Sequence, residues 1–220
     1  MTALPPSPAP DTCLVYLVRH GATANNLERP PRLQGCRSDL PLSDEGRQQA
    51  EAAAALLADV SLDAVYASPL KRARQTAEVI SARHGKAVKI AEGLAECDVG
   101  LWEGRTWVDI QRDEPRAYRL FMTEPETHGY AGGENMTQLL VRVHAALDEL
   151  LPRNAGQSIC IVAHNVVNRA LIGNLLGLPS AKSRSIPQDN CGINLLRWRD
   201  ERLKVLSINS RFHLGPPQAV

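Results

Sequence analysis

Arg19-His20-Gly21 closes a continuous apolar run, Cys13 to Val18, and no other feature narrows the fold as much. The run is short and rich in branched residues, the signature of a strand buried on both faces of a sheet. A cation and an imidazole at its end suit the carboxyl edge of that sheet, where open α/β proteins hold their ligands. Gly21 is expected to let the backbone come close to a bound group. The competing reading is a solvated loop with a chance histidine. The rest of the chain decides between them.

The pattern recurs. Ser158 to Ala163 is a second short apolar run, followed by His164-Asn165 and then by Val166 to Leu176 at helical spacing. Gly177 suits the position just past that helix, with Pro179 beyond it. Leu62 to Ala67 is a third run, followed by Ser68-Pro69. Ser68 is expected to cap a helix with Pro69 at its first position, which places Arg72 in the first turn of a helix reaching about Arg83. Three strand ends then deliver Arg19, His20, Arg72 and His164 to one edge of one sheet. Two arginines and two histidines converging there call for an anion, and a phosphoryl group matches best.

These residues sit in ordered motifs. They are Arg19-His20-Gly21-Ala22-Thr23-Ala24-Asn25-Asn26, Leu33-Gln34-Gly35, Asp39-Leu40-Pro41-Leu42-Ser43 and Ser68 to Ala77. Leu94 to Gly104, Gly132-Gly133-Glu134 and Val162-Ala163-His164 follow. In this order the chain resembles the histidine phosphatase superfamily, the phosphoglycerate mutase-like proteins, from Cys13 to about Ile208. The resemblance implies an α/β fold: a mostly parallel central sheet with helices on both faces and a small cap insertion at about residues 101–133. Residues 1–10, with four prolines, are read as a disordered tail, and 11–220 as a single domain of this type.

Phosphoryl transfer needs the charge on the phosphate oxygens offset, and Arg19, Arg72 and His164 are suited to that. His20 is expected to attack as neutral imidazole and form a phosphohistidine, its other ring nitrogen donating to a carbonyl. Glu96 matches the family's acid, which protonates the leaving oxygen. Asn26, Gln34 and Asn165 are read as further substrate contacts. Glu103 is expected to support its loop. His84, His128, His144 and His213 carry no motif, and Cys97 is not marked as a low-pKa thiol. No metal-ligand spacing appears, so no metal or cofactor is expected.

The chain departs from the phosphoglycerate mutases. They carry an aromatic three residues after the acid and a lysine eleven after it; here these positions are Val99 and Trp107. Arg112, Arg116 and Arg119 are the arginines within sequence reach to replace the mutases' substrate arginines. The expectation is a metal-independent phosphomonoesterase acting on a small phosphorylated metabolite. A 2,3-bisphosphoglycerate-dependent phosphoglycerate mutase is the alternative, and a non-catalytic phospho-ligand binding protein the second.

Composition narrows the partners. With 25 basic and 24 acidic residues the net charge is +1, which speaks against a nucleic-acid or polybasic membrane contact. Five cysteines without a close pair read as reduced thiols, hence a cytoplasmic protein. No stretch is apolar enough to span a bilayer, and a homodimer is compatible with the chain. A long helix is expected over Glu134–Leu151, another over Asp44–Ala58, and a strand over Lys86–Ile90. Strands over Asn194–Trp198 and Leu203–Ile208 complete the set, whereas residues 101–133 show no clean period.

Overall fold

A computed structural model describes residues 8–215. The expected tail therefore lies largely outside the described residues; of its last part, Ala9 accepts a hydrogen bond from the Thr12 N–H at 2.8 Å. The chain opens with strand β1 (Thr12–Arg19), the short helix α1 (Ala24–Leu27), helix α2 (Asp44–Leu57), strand β2 (Ala64–Ala67), helix α3 (Lys71–Ala82) and strand β3 (Val88–Ile90). Helices α4 (Trp107–Asp113), α5 (Pro115–Thr123) and α6 (Met136–Leu150) follow. Strand β4 (Ser158–Ala163), helix α7 (Asn165–Leu175) and strands β5 (Ile193–Arg199) and β6 (Arg202–Ser210) complete it.

The six strands form one sheet in the order β3-β2-β4-β1-β5-β6. Pairings β3–β2, β2–β4 and β4–β1 are parallel, and β5 joins β1 antiparallel, so the sheet is mostly parallel as expected. Strand β4 lies between β1 and β2, and every one of its residues is buried. That is why its sequence is a continuous apolar run rather than an alternation. Leu17 and Ile161 pack with Val143, Leu147 and Leu171 on one face. Val18, Val65 and Val162 pack with Leu57, Ala77 and Ile80 on the other. Side chains alternate across a strand, so helices α6 and α7 cover one face and α2 and α3 the opposite one. The register sets Arg19 opposite Ala163 and Ala67 opposite Val162, so β1, β4 and β2 end level with one another.

Several expected boundaries are corrected. Helix α3 begins at Lys71 with Leu70 as its N-cap, not at Ser68-Pro69. The Lys71 N–H donates instead to the Asp39 carboxylate at 2.6 Å, a cap supplied from a distant loop. The Ser68 hydroxyl is shared with His164 Nε2 at 2.6 Å. Helix α6 starts at Met136 because Asn135 and Gln138 form a capping box, which leaves Glu134 outside. Strand β3 starts two residues late because the Lys86 N–H still bonds to Ser81 of the preceding helix end, at 3.3 Å. Residues 101–133 hold two short helices between turns. Thr106 caps α4 by accepting from the Asp109 N–H, and Pro115 opens α5. Both helices are too short for a periodic signal.

Gly21 allows a close approach of backbone to backbone. A Cβ on Gly21 would collide with the carbonyl oxygen of Gly46, and one on Gly46 with that of Ala22. The glycine pair lets the first turn of α2 press against the loop that carries His20.

Candidate active site

Arg19 and His20 leave the end of β1, Arg72 lies in the first turn of α3 after β2, and His164 is the N-cap of α7 after β4. Level strand ends bring these together. The His20 and His164 rings have centroids 5.1 Å apart, tilted by 58°. His20 Nδ1 donates to the Gly21 carbonyl at 2.7 Å. A carbonyl only accepts, so this bond fixes the proton on Nδ1 and leaves the lone pair on Nε2.

The arginines are held by main-chain carbonyls. Arg19 Nη1 donates to Gln188 at 2.6 Å. Arg72 donates to Ser38 at 2.7 Å and Gly35 at 2.9 Å. Gly35 is in turn fixed by Glu103, whose carboxylate accepts from its N–H at 2.8 Å. Glu103 thus supports the loop, two hydrogen bonds from Arg72. The remaining donors are unspent. Arg19 Nε, Arg72 Nε and Gln34 Nε2 are buried without a protein partner, as is His164 Nδ1. Donors without acceptors are costly to bury, and phosphate oxygens accept only.

Glu96 is buried, and its carboxylate accepts from the N–H groups of Cys97 (2.9 Å), Val166 (3.2 Å) and Val167 (3.3 Å). The last two belong to the first turn of α7. Burial pushes the Glu96 pKa above the ordinary carboxylate range, while these N–H donors and Arg72 pull it down; burial wins. Burial also holds His20 and His164 well below the usual imidazole range, aided by Arg72 and, more weakly, Arg19. Burial brings Arg19 down to about 10, still cationic at neutral pH. The Cys97 thiol beside Glu96 is pushed well up by burial, which makes it a poor nucleophile.

Arg19, His20, Asn26, Gln34, Glu96 and Asn165 all line one cavity of about 580 Å³. Arg72 and His164 lie behind this lining, buried but coupled by charge to His20. Asn26 spends its side-chain oxygen on the Thr23 N–H at 3.0 Å, closing the first turn of α1. Gln34 Oε1 accepts from the Thr23 hydroxyl at 2.8 Å, which leaves its amide nitrogen free. Asn165 presents a buried, unpaired Oδ1. The opposite wall comes from residues 107–130, with Trp107, Tyr118, Phe121 and Tyr130 facing the cavity. Trp107 stacks on Phe121 with centroids 5.6 Å apart, and Phe121 meets Tyr130 at 4.4 Å.

Sequence reasoning missed four contributors. Asn190 lines the cavity and donates to the His20 carbonyl at 2.9 Å. Arg142 donates to the carbonyls of Gly93, Ala95 and Glu96 while paired with Glu134 at 2.7 Å. Arg169 and Arg184 both line the cavity. Arg169 lies four residues after Asn165 on one helix face, so the helical period could have found it. Arg184 comes from the short 3₁₀ turn Ser180–Ser185, which carries no such signal. By contrast Arg112, Arg116 and Arg119 do not line the cavity, and Arg112 is paired with Asp109 and Asp113. Among the described residues no cluster of three or more His, Cys, Asp or Glu could hold a metal, and no helix is long and apolar enough to cross a membrane.

The sequence profile of the histidine phosphatase superfamily (branch 1) matches residues 15–211. The chain is 32% identical over 202 residues to "Phosphoserine phosphatase 1" of Hydrogenobacter thermophilus, covering 91% of this chain and 94% of that protein. It is 36% identical over 187 residues to "Probable phosphoglycerate mutase GpmB" of Enterobacter sp. strain 638, covering 84% and 85%. The crystal structure of phosphoserine phosphatase from Entamoeba histolytica with 3-phosphoglyceric acid superposes with a TM-score of 0.82 at 29% identity, over 92% of this chain and 99% of that one. With the profile spanning nearly all the described residues, the chain belongs to branch 1 of the histidine phosphatase superfamily.

Proposed function

We propose that this protein is a metal-independent phosphomonoesterase that hydrolyses a small phosphorylated metabolite through a phosphohistidine at His20. The observation that carries this reading is the His20 ring, its Nδ1 bonded to Gly21 and its charge influenced by Arg72 and Arg19, each of which keeps a buried Nε with no protein acceptor. In the first step Nε2 attacks phosphorus and the ester P–O bond breaks. Glu96 gives its proton to the departing oxygen. In the second step the Glu96 carboxylate takes a proton from water, whose oxygen attacks phosphorus, and the P–N bond breaks. Arg19, Arg72 and His164 hold the charge of the transferred group throughout. Gln34, Asn26 and Asn165 bound the site around it.

A second hydroxyl compound could replace water, as in a mutase. Trp107 stands in the cavity wall where the mutases carry a lysine, and Arg112, Arg116 and Arg119 lie outside it, which favours hydrolysis. The phosphatase relatives point the same way. Five free cysteines fit a reducing, cytoplasmic setting. Residues 101–133 act as the cap that shapes substrate choice.

The covalent step provides the test. Brief mixing with labelled phosphomonoester, then denaturation without acid, traps label on the wild-type chain in an acid-labile, base-stable bond. His20→Ala traps none. Label on a serine or cysteine would overturn the reading.

A further inference from the structure

The cavity is cationic well beyond its phosphate end. Arg169 and Arg184 face it from α7 and from the turn Ser180–Ser185, and neither has a carboxylate partner among the described residues. Arg169 spends Nε on the Ile186 carbonyl at 2.7 Å. Arg184 spends Nη2 on the Phe121 carbonyl at 2.9 Å and Nη1 on the Met122 sulfur, which leaves Nε, and it lies 4.2 Å above the Phe121 ring. Each guanidinium is thus fixed in place with further N–H groups left over. Burial lowers the pKa of both, and Arg184 feels Arg169 as a like charge. Two cations lining one partly dry, aromatic pocket are unfavourable unless an anion joins them.

Their position sets the distance. Asn165 and Arg169 lie on one face of α7, separated by about 6 Å of helix rise. Asn165 adjoins His164 at the phosphate end, so Arg169 sits roughly one turn along the cavity. Arg184 enters the same cavity from the side of Phe121, to whose carbonyl it is bonded. We propose that Arg169 and Arg184 form a second anion site, seating the carboxylate of a substrate that is a short phosphorylated carboxylic acid. This rests on the phosphatase reading and names its substrate class. With part of each guanidinium already committed, the free donors suit the two oxygens of a carboxylate.

The test compares two probes that differ only at the far end. 3-Phosphoglycerate carries a carboxylate where glycerol 3-phosphate carries a hydroxymethyl group. Calorimetry on the full chain bearing His20→Ala reads binding without turnover, so the result stands even if the covalent mechanism fails. 3-Phosphoglycerate is expected to bind at least tenfold more tightly. Adding Arg169→Met or Arg184→Met should cut that preference fivefold or more, and Arg169→Lys should cut it by less than Arg169→Met. In the active enzyme the preference should appear in KM. A variant that merely loosens the fold weakens both probes and leaves their ratio alone. Equal affinity for the two probes, or a preference that survives both methionine variants, would overturn the proposal.

Discussion

Arg142 holds Glu96 by its backbone: Arg142 Nη2 donates to the Glu96 carbonyl at 3.2 Å, and Nη1 to those of Gly93 and Ala95 at 2.8 Å each. The Arg142 guanidinium is itself anchored by Glu134 at 2.7 Å. The ion pair of Arg142 on α6 with Glu134 just before that helix therefore holds the backbone from which the Glu96 carboxyl projects.

Glu96→Gln keeps the shape and removes the proton. With an alkyl phosphate, a poor leaving group, the rate should fall by roughly 10²–10⁴, the usual worth of general acid catalysis. With p-nitrophenyl phosphate the loss should be much smaller, because the leaving group needs little protonation. Arg72→Ala should slow both esters by similar factors, since it acts on the transferred group. Equal losses for the two esters in Glu96→Gln would remove Glu96 from the acid role.

Arg142→Met should carry a weaker form of the same signature. As a positioning residue it should lower kcat more for the alkyl ester than for p-nitrophenyl phosphate. The ratio of the two rates is the measurement. A loss shared evenly by both esters would mark Arg142 as a general support of the fold.

The buried imidazoles make stability depend on pH. His20 and His164 are held well below 6.5 in the folded protein, by burial first and then by neighbouring arginines. The unfolded chain protonates them near pH 6.5. Below that pH it binds protons that the native state refuses, so their contribution, complete above pH 6.5, is lost as the pH falls toward the folded values. Glu96 acts in the opposite sense. Burial raises its folded pKa above 4.5, so its contribution is complete below that pH and is lost as the pH rises through the folded value. The melting temperature should drop between pH 7 and pH 5, and His20→Asn should flatten the drop. An unchanged slope would mean that His20 titrates normally.

Gly46→Ala tests the contact between α2 and the His20 loop. The new methyl group would collide with the Ala22 carbonyl, which is main chain and cannot swing aside. A loss of about 3 kcal/mol is expected in denaturant unfolding, the upper part of the overpacking range. Gly85→Ala, in open space at φ +60°, should lose only about 1 kcal/mol. Equal losses would show that the loop yields.

The absence of metal-ligand clusters among the described residues, with arginines around His20, predicts that chelator leaves hydrolysis largely intact while vanadate inhibits it. Activity lost in EDTA and restored by magnesium would contradict this.

The apolar runs at β1, β2 and β4 were legible because a strand buried on both faces has no polar positions to interrupt it. Each of the three ends in a chemistry-bearing segment, so Arg19, His20, Arg72 and His164 could be placed at one edge from sequence and topology rules. The family motifs added Glu96, which no periodicity marks. What sequence could not supply were contacts between distant segments. Asp39 caps α3 from a loop 32 residues away, displacing the local signal of Ser68-Pro69. Gly21 meets Gly46 of α2, since close approach of two backbones is decided by which elements pack. Arg142 and Asn190 act through main-chain carbonyls, which leave no trace in residue type. Arg184 reaches the cavity only because a turn after α7 folds back over Phe121. Local propensity and burial pattern determine strands and their ends; only tertiary packing decides which charges remain unpaired in the cavity between them.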